Sequence, residues 1–201
     1  MISQIANTVF NKAINEYHIQ DNIDATLISP YGKESIEHLL YVKNWVDTAQ
    51  WHMEDVVRNP SIDALEGLGW KRRIDAQNQV RTDMVEFIDG FFLTKYKDVM
   101  TKDDAKINTE SIAWALDRLS ILTLKIFHMR EEAERSSATE MHRVSCRDKL
   151  KVLLEQKEDL SLSIDDLIQD IENGRKKMKV YKQMKMYNDP SLNPILYGKV
   201  N

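Results

Sequence analysis

Two arginines and a glutamine stand four residues apart in a stretch whose residue pattern is helical. Arg73, Gln77 and Arg81 occur within "KRRIDAQNQVRTDMVEFID", positions 71–89. At about 100° per residue they share one line along the helix. That line continues into apolar residues: Val80, Met84, Ile88 and Phe91. The other side carries residues that we predict to face solvent: Asp75, Gln79, Thr82, Glu86 and Asp89. The sequence therefore predicts that these arginines point toward neighbouring helices.

A buried guanidinium needs partners, since leaving it unpaired costs several kcal/mol. Candidate partners occur on two other predicted helices. The second helix offers Gln50 and Glu54, with His52 between them. The least apolar side of the fourth carries Asp117, Arg118, Lys125 and His128, so the three helices would enclose both signs of charge. Two interpretations fit: a buried ion-pair network that sets helix register, or an anion site. In the second, Arg73, Arg81 and either Arg118 or Lys125 hold a phosphate or carboxylate.

Metal chemistry has weaker signals in this chain. Three carboxylate pairs lie on adjacent helical turns, as in helical magnesium sites: Glu34/Glu37, Glu86/Asp89 and Glu131/Glu134. With 32 acidic residues, such spacings arise by chance. His52 and His128 are each more typical of a surface or a satisfied core position, and His142 and Cys146 are interpreted as core residues. We predict no metal site, and no Gly-rich phosphate loop or G-x-S-x-G motif indicates a cofactor or nucleophile.

The chain becomes basic toward its end. Between Glu172 and Asp189 it has no acidic residue and carries Arg175, Lys176, Lys177, Lys179, Lys182 and Lys185. As a helix, this stretch would place Val180, Tyr181, Met184 and Tyr187 on one side. One interpretation is an amphipathic extension that packs on the rest of the protein. The others are contact of 175–187 with an acidic partner, nucleic acid or an anionic membrane.

Long helices must position these residues. Glycine (6) and proline (4) are scarce among 201 residues, which favours helices over turn-rich sheets. Apolar residues at three- and four-residue steps predict helices over 2–17, 33–58, 60–96, 109–135 and 139–173, and a capping-box pattern in the last allows a division near Ser161. The fourth is apolar nearly all round, so it belongs in the middle. We predict an all-α bundle of about five helices over 1–174 and a basic extension over 175–201.

Composition limits the classes of protein. The net charge of −4 gives no general case for nucleic-acid binding. The N-terminus lacks the basic and continuously apolar regions of a signal peptide, and no apolar run approaches the ~20 residues that span a bilayer. The single cysteine excludes an internal disulfide. These features predict a cytoplasmic protein.

Several long strings also resemble a known family. They include "WVDTAQWHMED", "KRRIDAQNQVRTDMVEFID", "INTES", "ALDRLSILTLKIFHM", "LLEQKEDL" and "MKVYKQMKMYNDPSLNPILYGK". Their order and spacing resemble those of a bacterial family, domain of unknown function 4254, which is common among Bacteroidetes. Ile112 stands where many members have proline, which concerns only how the fourth helix begins. The resemblance implies a cytoplasmic, all-helical bacterial protein and supplies no catalytic residues.

These observations favour a non-catalytic binder of a small anionic ligand or of a partner protein, with a homodimer as the expected assembly. The predicted ligand-binding residues are Arg73, Gln77 and Arg81, with Gln50, Glu54, Asp117 and Arg118 orienting them and His52, Lys125 and His128 nearby. One alternative is a magnesium-dependent nucleotide pyrophosphohydrolase that uses the paired carboxylates. The other is an adaptor that binds nucleic acid or membrane through 175–187.

Overall fold

The fold is known from a computed structural model, which describes residues 1–184, 186 and 189–198. Within these residues the chain forms six helices and no strand. They are α1 (Ile2–Gln20), α2 (Ile36–Val57), α3 (Ala64–Lys95), α4 (Ile112–Glu134), α5 (Glu140–Glu172) and the short α6 (Pro194–Tyr197). The prediction of an all-α bundle is confirmed.

Side-chain caps mark where four of the long helices begin. The Ser35, Asp63, Ser111 and Thr139 side chains each accept a hydrogen bond from a first-turn amide, which satisfies a donor that the helix itself cannot pair. The third and fourth helices therefore begin later than predicted, after Asp63 and Ser111. Gly67 and Gly69 lie inside α3 without breaking it, and α5 runs through Ser161 as one helix.

Two helices form the centre of the bundle. α4 packs against α1, α2, α3 and α5, as its apolar circumference predicts. α2 is also enclosed on all sides over 43–50, where every residue is buried. That stretch includes Lys43, Asn44 and Asp47, so the core of this bundle contains charge. None of the described helices carries an apolar stretch that would cross a bilayer.

α3 departs from the predicted division into an inner and an outer side. Asp89 and Thr82, predicted to face solvent, are buried at 5% and 8% exposure, whereas Val80, predicted to be inner, is 41% exposed. Asp89 accepts hydrogen bonds from the Ser111 hydroxyl (2.8 Å) and the Ala113 amide (3.4 Å) at the start of α4. Because α3 packs against both α2 and α4, a single inner line does not describe it.

The basic C-terminal stretch is not helical in its described part before residue 190. The backbone of 174–177 instead pairs with the α3–α4 connection, through Lys102 N to Gly174 O, Lys106 N to Arg175 O and Lys177 N to Lys106 O at 2.9–3.2 Å. Met178 packs against the core, and the Gln183 amide donates to Glu86 at 3.2 Å. Lys185 and Tyr187, part of the predicted basic and apolar sides, lie outside the described residues, as do 199–201.

Candidate functional site

Four charged side chains from three helices meet in the interior. Lys43 Nζ lies 2.5 Å from Asp47 Oδ2, one turn away on α2, and 2.6 Å from Asp117 Oδ1 on α4. Arg81 of α3 donates from Nε to Asp47 Oδ1 (2.7 Å) and from a terminal nitrogen to Asp117 Oδ1 (3.3 Å). The Ser120 hydroxyl adds a 2.6 Å hydrogen bond to Asp47 Oδ2. We call these five residues the charged network.

The network is balanced, with two cations and two anions. The Lys43 and Asp47 side chains are 1% and 0% exposed, so neither charge is compensated by water. Burial acts to lower the pKa of Arg81, but the adjacent carboxylates of Asp47 and Asp117 outweigh it and raise that pKa. The guanidinium therefore stays protonated, and the network links α2, α3 and α4 in one register.

A cleft opens beside this network. Its volume is about 430 Å³, within the range of small-molecule sites. Its lining comes from α2, α3 and α4 and the residue after α2: Asp47, Gln50, Trp51, Glu54, Asp55, Arg58, Arg81 and Ile121. Arg81, 24% exposed, also borders a second cavity of about 270 Å³ together with Asp117 and Trp114. Arg81 is thus the network member that borders both spaces, while Lys43 lines neither.

Four of the predicted site residues converge on this cleft or its network. They are Arg81, Asp117, Gln50 and Glu54. Gln50 donates to the Asn78 side chain at 2.8 Å, while its own Oε1 is buried without a hydrogen-bond partner among the described residues. Glu54 pairs with Arg58 at the exposed edge (3.1 Å). Gln77 also points inward, as predicted, and donates to the Val46 carbonyl at 3.3 Å.

Three predicted cationic members do not join them. Arg73, predicted on the same inner line as Arg81, has a side chain that is 40% exposed, pairs with Asp24 of the α1–α2 connection (2.5 Å) and lies over the Trp70 ring. It stands about two turns nearer the start of α3, where most residues of the helix are exposed, so only Arg81 reaches the interior. Arg118 is 63% exposed and pairs with Glu110. Arg118 and Lys125 instead border a groove between α4 and α5.

The two predicted histidines belong to a different cluster. His52 of α2 and His128 of α4 lie next to His18, at the end of α1, and one ring nitrogen of each lies within 4.8 Å of those of the other two. His18 Nε2 and His52 Nε2 are 3.2 Å apart. Burial, and then the neighbouring His18 and His128, lower the pKa of His52. We call these three residues the histidine cluster.

Several residues of both groups were not identified from the sequence. Lys43 and Asp47 of the network had a signal, because a lysine and an aspartate stand four apart in "YVKNWVDTAQ", whereas Ser120 had none. Opposite charges at that spacing pair along a helix and are often solvated, so the pattern alone does not indicate burial. His18 stands one turn after Ile14 on the apolar line of α1, a weaker signal.

Three carboxylates from two of the pairs considered for magnesium are engaged elsewhere in the structure. Asp89 accepts hydrogen bonds at the start of α4, and Glu86 accepts from Gln183. Glu131 lies 2.8 Å from His128 Nδ1. Metal sites need at least three His, Cys, Asp or Glu side chains whose ligand atoms lie close together. Among the residues described, the histidine cluster meets this condition.

A comparison with protein families gives one match. A family model described as "Protein of unknown function (DUF4254)" matches residues 37–180, which span 144 of the 201 residues and all of α3, α4 and α5. The match includes the whole charged network and two of the three clustered histidines. No curated protein and no solved structure matches the chain.

Proposed function

Because the chain belongs to the DUF4254 family, whose description states no activity, we propose from geometry alone that it binds a small ligand carrying a carboxylate or phosphate in the cleft beside Arg81. The observation that carries this proposal is the position of Arg81. Its guanidinium is held in a fixed orientation by two carboxylates and still borders open space on two sides.

A fixed guanidinium suits recognition of a planar or tetrahedral anion. Arg81 Nε and one terminal nitrogen are engaged by Asp47 and Asp117, which restricts the side chain before any ligand arrives. Restriction of this kind reduces the ordering cost of binding. The Trp51 and Ile121 side chains give the same cleft apolar surface for the rest of a ligand.

The charges of the cleft residues indicate where the anionic group of the ligand and its donor groups would lie. Since Asp47 and Asp117 already balance Lys43 and Arg81, a further cation is needed to attract an anion. Arg58 supplies it, because it borders the same cleft, is 67% exposed and pairs with Glu54 at the surface. The anionic group of the ligand therefore replaces Glu54 as a partner of Arg58, while Glu54 and Asp55 can accept hydrogen bonds from donor groups of the ligand.

The test is isothermal titration of the full chain with inorganic phosphate, succinate and adenosine monophosphate. We expect at least one probe to bind, and Arg58→Gln to weaken it by roughly 10–100-fold, since one charge-assisted hydrogen bond contributes roughly 1.5–3 kcal/mol. Arg58 lies at the surface, so its loss leaves the fold intact. Arg81→Gln should abolish binding, with circular dichroism as the check on folding.

Arg73→Gln is the matched control, because Arg73 lies on the same helix as Arg81 but outside the cleft. It should leave affinity unchanged. Equal binding by the parent and by the Arg58 and Arg81 variants, or no binding of any of the three probes, would overturn the proposal.

A further inference from the structure

We propose that His18, His52 and His128 bind one divalent transition-metal ion such as Zn²⁺. The three rings come from α1, α2 and α4, so the ion would connect three helices. This inference does not depend on the ligand cleft, because none of the three histidines lines it.

The spacing of the nitrogens is close to that of a tetrahedral site. Zn–N bonds of about 2.0–2.1 Å place two ligand nitrogens roughly 3.3 Å apart. His18 Nε2 and His52 Nε2 are already 3.2 Å apart. The third ring has a nitrogen within 4.8 Å of those of the other two, so a shift of at most about 1.5 Å completes the triangle.

In two of the rings, a hydrogen bond at Nδ1 leaves the lone pair of Nε2 available for a metal ion. His18 Nδ1 lies 2.7 Å from the Ile14 carbonyl oxygen, which can only accept, so Nδ1 carries the proton and Nε2 the lone pair. His128 Nδ1 likewise lies 2.8 Å from a Glu131 carboxylate oxygen. A metal-binding histidine has this arrangement, with the second nitrogen donating to a carbonyl or carboxylate.

One buried ring nitrogen of the cluster has no hydrogen-bond partner among the described residues. That atom is His128 Nε2, which is buried, and an unpaired lone pair is costly there. His18 Nε2 and His52 Nε2 satisfy each other only if His52 Nε2 carries the proton. A metal ion accepts all three lone pairs, and the His52 proton moves to Nδ1 of the same ring when it binds.

The surroundings hold the rings and admit an ion. Tyr17 stacks on His52, Phe127 packs on His18 and Trp51 stacks on His128. Each histidine is nevertheless partly exposed, and the carboxylates of Asp21 and Asp55 act electrostatically on His52. Three neutral nitrogen ligands suit Zn²⁺, Co²⁺, Ni²⁺ or Cu²⁺ better than Mg²⁺ or Ca²⁺, and they leave one position for water or another ligand.

The experiment uses the chelator-treated full chain, titrated with ZnCl₂ by calorimetry and with CoCl₂ by visible absorption. We expect one ion per chain, the strong visible bands of a tetrahedral Co²⁺ site and a higher melting temperature with Zn²⁺. MgCl₂ should produce none of these changes.

Variants locate the site. Glu131→Gln should weaken Zn²⁺ binding by roughly 10–100-fold, because it replaces the carboxylate partner of His128 with an uncharged, weaker acceptor. Glu131 is 54% exposed, so this variant should fold normally. His52→Gln and His128→Gln should weaken binding further. If either fails to fold without metal, the Glu131 variant and the Co²⁺ spectrum decide the question.

His142→Gln and His38→Gln are the controls, since these are the remaining two of the five histidines. His142 also lies 3.4 Å from Cys146 Sγ and 2.8 Å from Glu132, which makes it a rival zinc contact on the surface. Both control variants should bind Zn²⁺ as the parent does. The proposal would be overturned if the parent bound no ion, or if His142→Gln lost binding while Glu131→Gln and His128→Gln kept it in full.

Discussion

Lys43 and Asp47 show how a charge becomes tolerable inside this bundle. Each is shielded from water, and each has at least two oppositely charged or hydroxyl partners on other helices or one turn away. Arg73 and Asp24 form a pair of opposite charges at the surface, where their side chains are 40% and 71% exposed. Water screens the Arg73–Asp24 pair but not the Lys43–Asp47 pair, so the two ion pairs contribute differently to the stability of the fold.

Replacing Asp47 by alanine should therefore be strongly destabilising. The change leaves Lys43 and Arg81 with one carboxylate between them, and breaking a buried pair costs about 3–5 kcal/mol. Asp24→Ala, which removes the exposed carboxylate, should change stability by less than about 1 kcal/mol. Urea unfolding of both variants measures the difference. Similar midpoints for the two would show that the buried network contributes no more than a surface ion pair.

Among the helices, the end of α5 depends on one glycine. Gly174 follows α5 with φ of +65°, a left-handed backbone conformation that glycine adopts without strain. A β-carbon there would overlap the Met100 carbonyl oxygen of the α3–α4 connection. The end of α5 and that connection are thus fitted together at this residue.

Gly174→Ala should destabilise the protein by more than about 1 kcal/mol, because both the backbone conformation and the overlap oppose a side chain. Gly90→Ala is the matched control with the opposite expected sign. Gly90 lies inside α3 and is exposed, and apart from its own stretch of helix no described atom lies within 4 Å of the place its β-carbon would take. Alanine there should stabilise by about 0.5–1 kcal/mol. Thermal unfolding measures the change in stability of both variants. A Gly174→Ala variant as stable as the parent would contradict the expected destabilisation.

Across the protein as a whole, α2 carries two separate groups on different faces. Toward α3 and α4 it presents Lys43, Asp47 and Gln50, and toward α1 it presents His52. The proposed ligand cleft and the proposed metal site therefore share a central helix. Trp51 borders the cleft and stacks on His128, so this ring is a direct contact between the two.

The C-terminal stretch also acts on the stability of the entire bundle. We predict that a chain ending at Gly174 melts at a lower temperature, since it loses both backbone hydrogen bonds to Lys106 and exposes core that Met178 covers. For a protein of this size each kcal/mol lost lowers the melting temperature by about 2–4 °C. A chain ending at Asp189 keeps those contacts and should melt like the parent. Equal melting of all three chains would show that 175–201 does not stabilise the bundle.

The spacing of residues along the chain was enough to predict the helices, the central position of α4 and the inward direction of Gln77 and Arg81. These features follow from the repeat of apolar residues, which acts over a few turns of one helix. Family membership was also readable, because long strings of residues keep their order.

Which polar residues meet could not be read from spacing, because it depends on how the helices pack. Arg73 and Arg81 share a line on α3, yet one is at the surface and the other in the network, because the first turns of α3 are mostly exposed. Lys43 and Asp47 have the spacing of an ordinary surface ion pair on one helix, and they are buried because α3 and α4 pack over them. His18, His52 and His128 are far apart in the chain, and only helix packing brings one ring nitrogen of each within 4.8 Å of the other two.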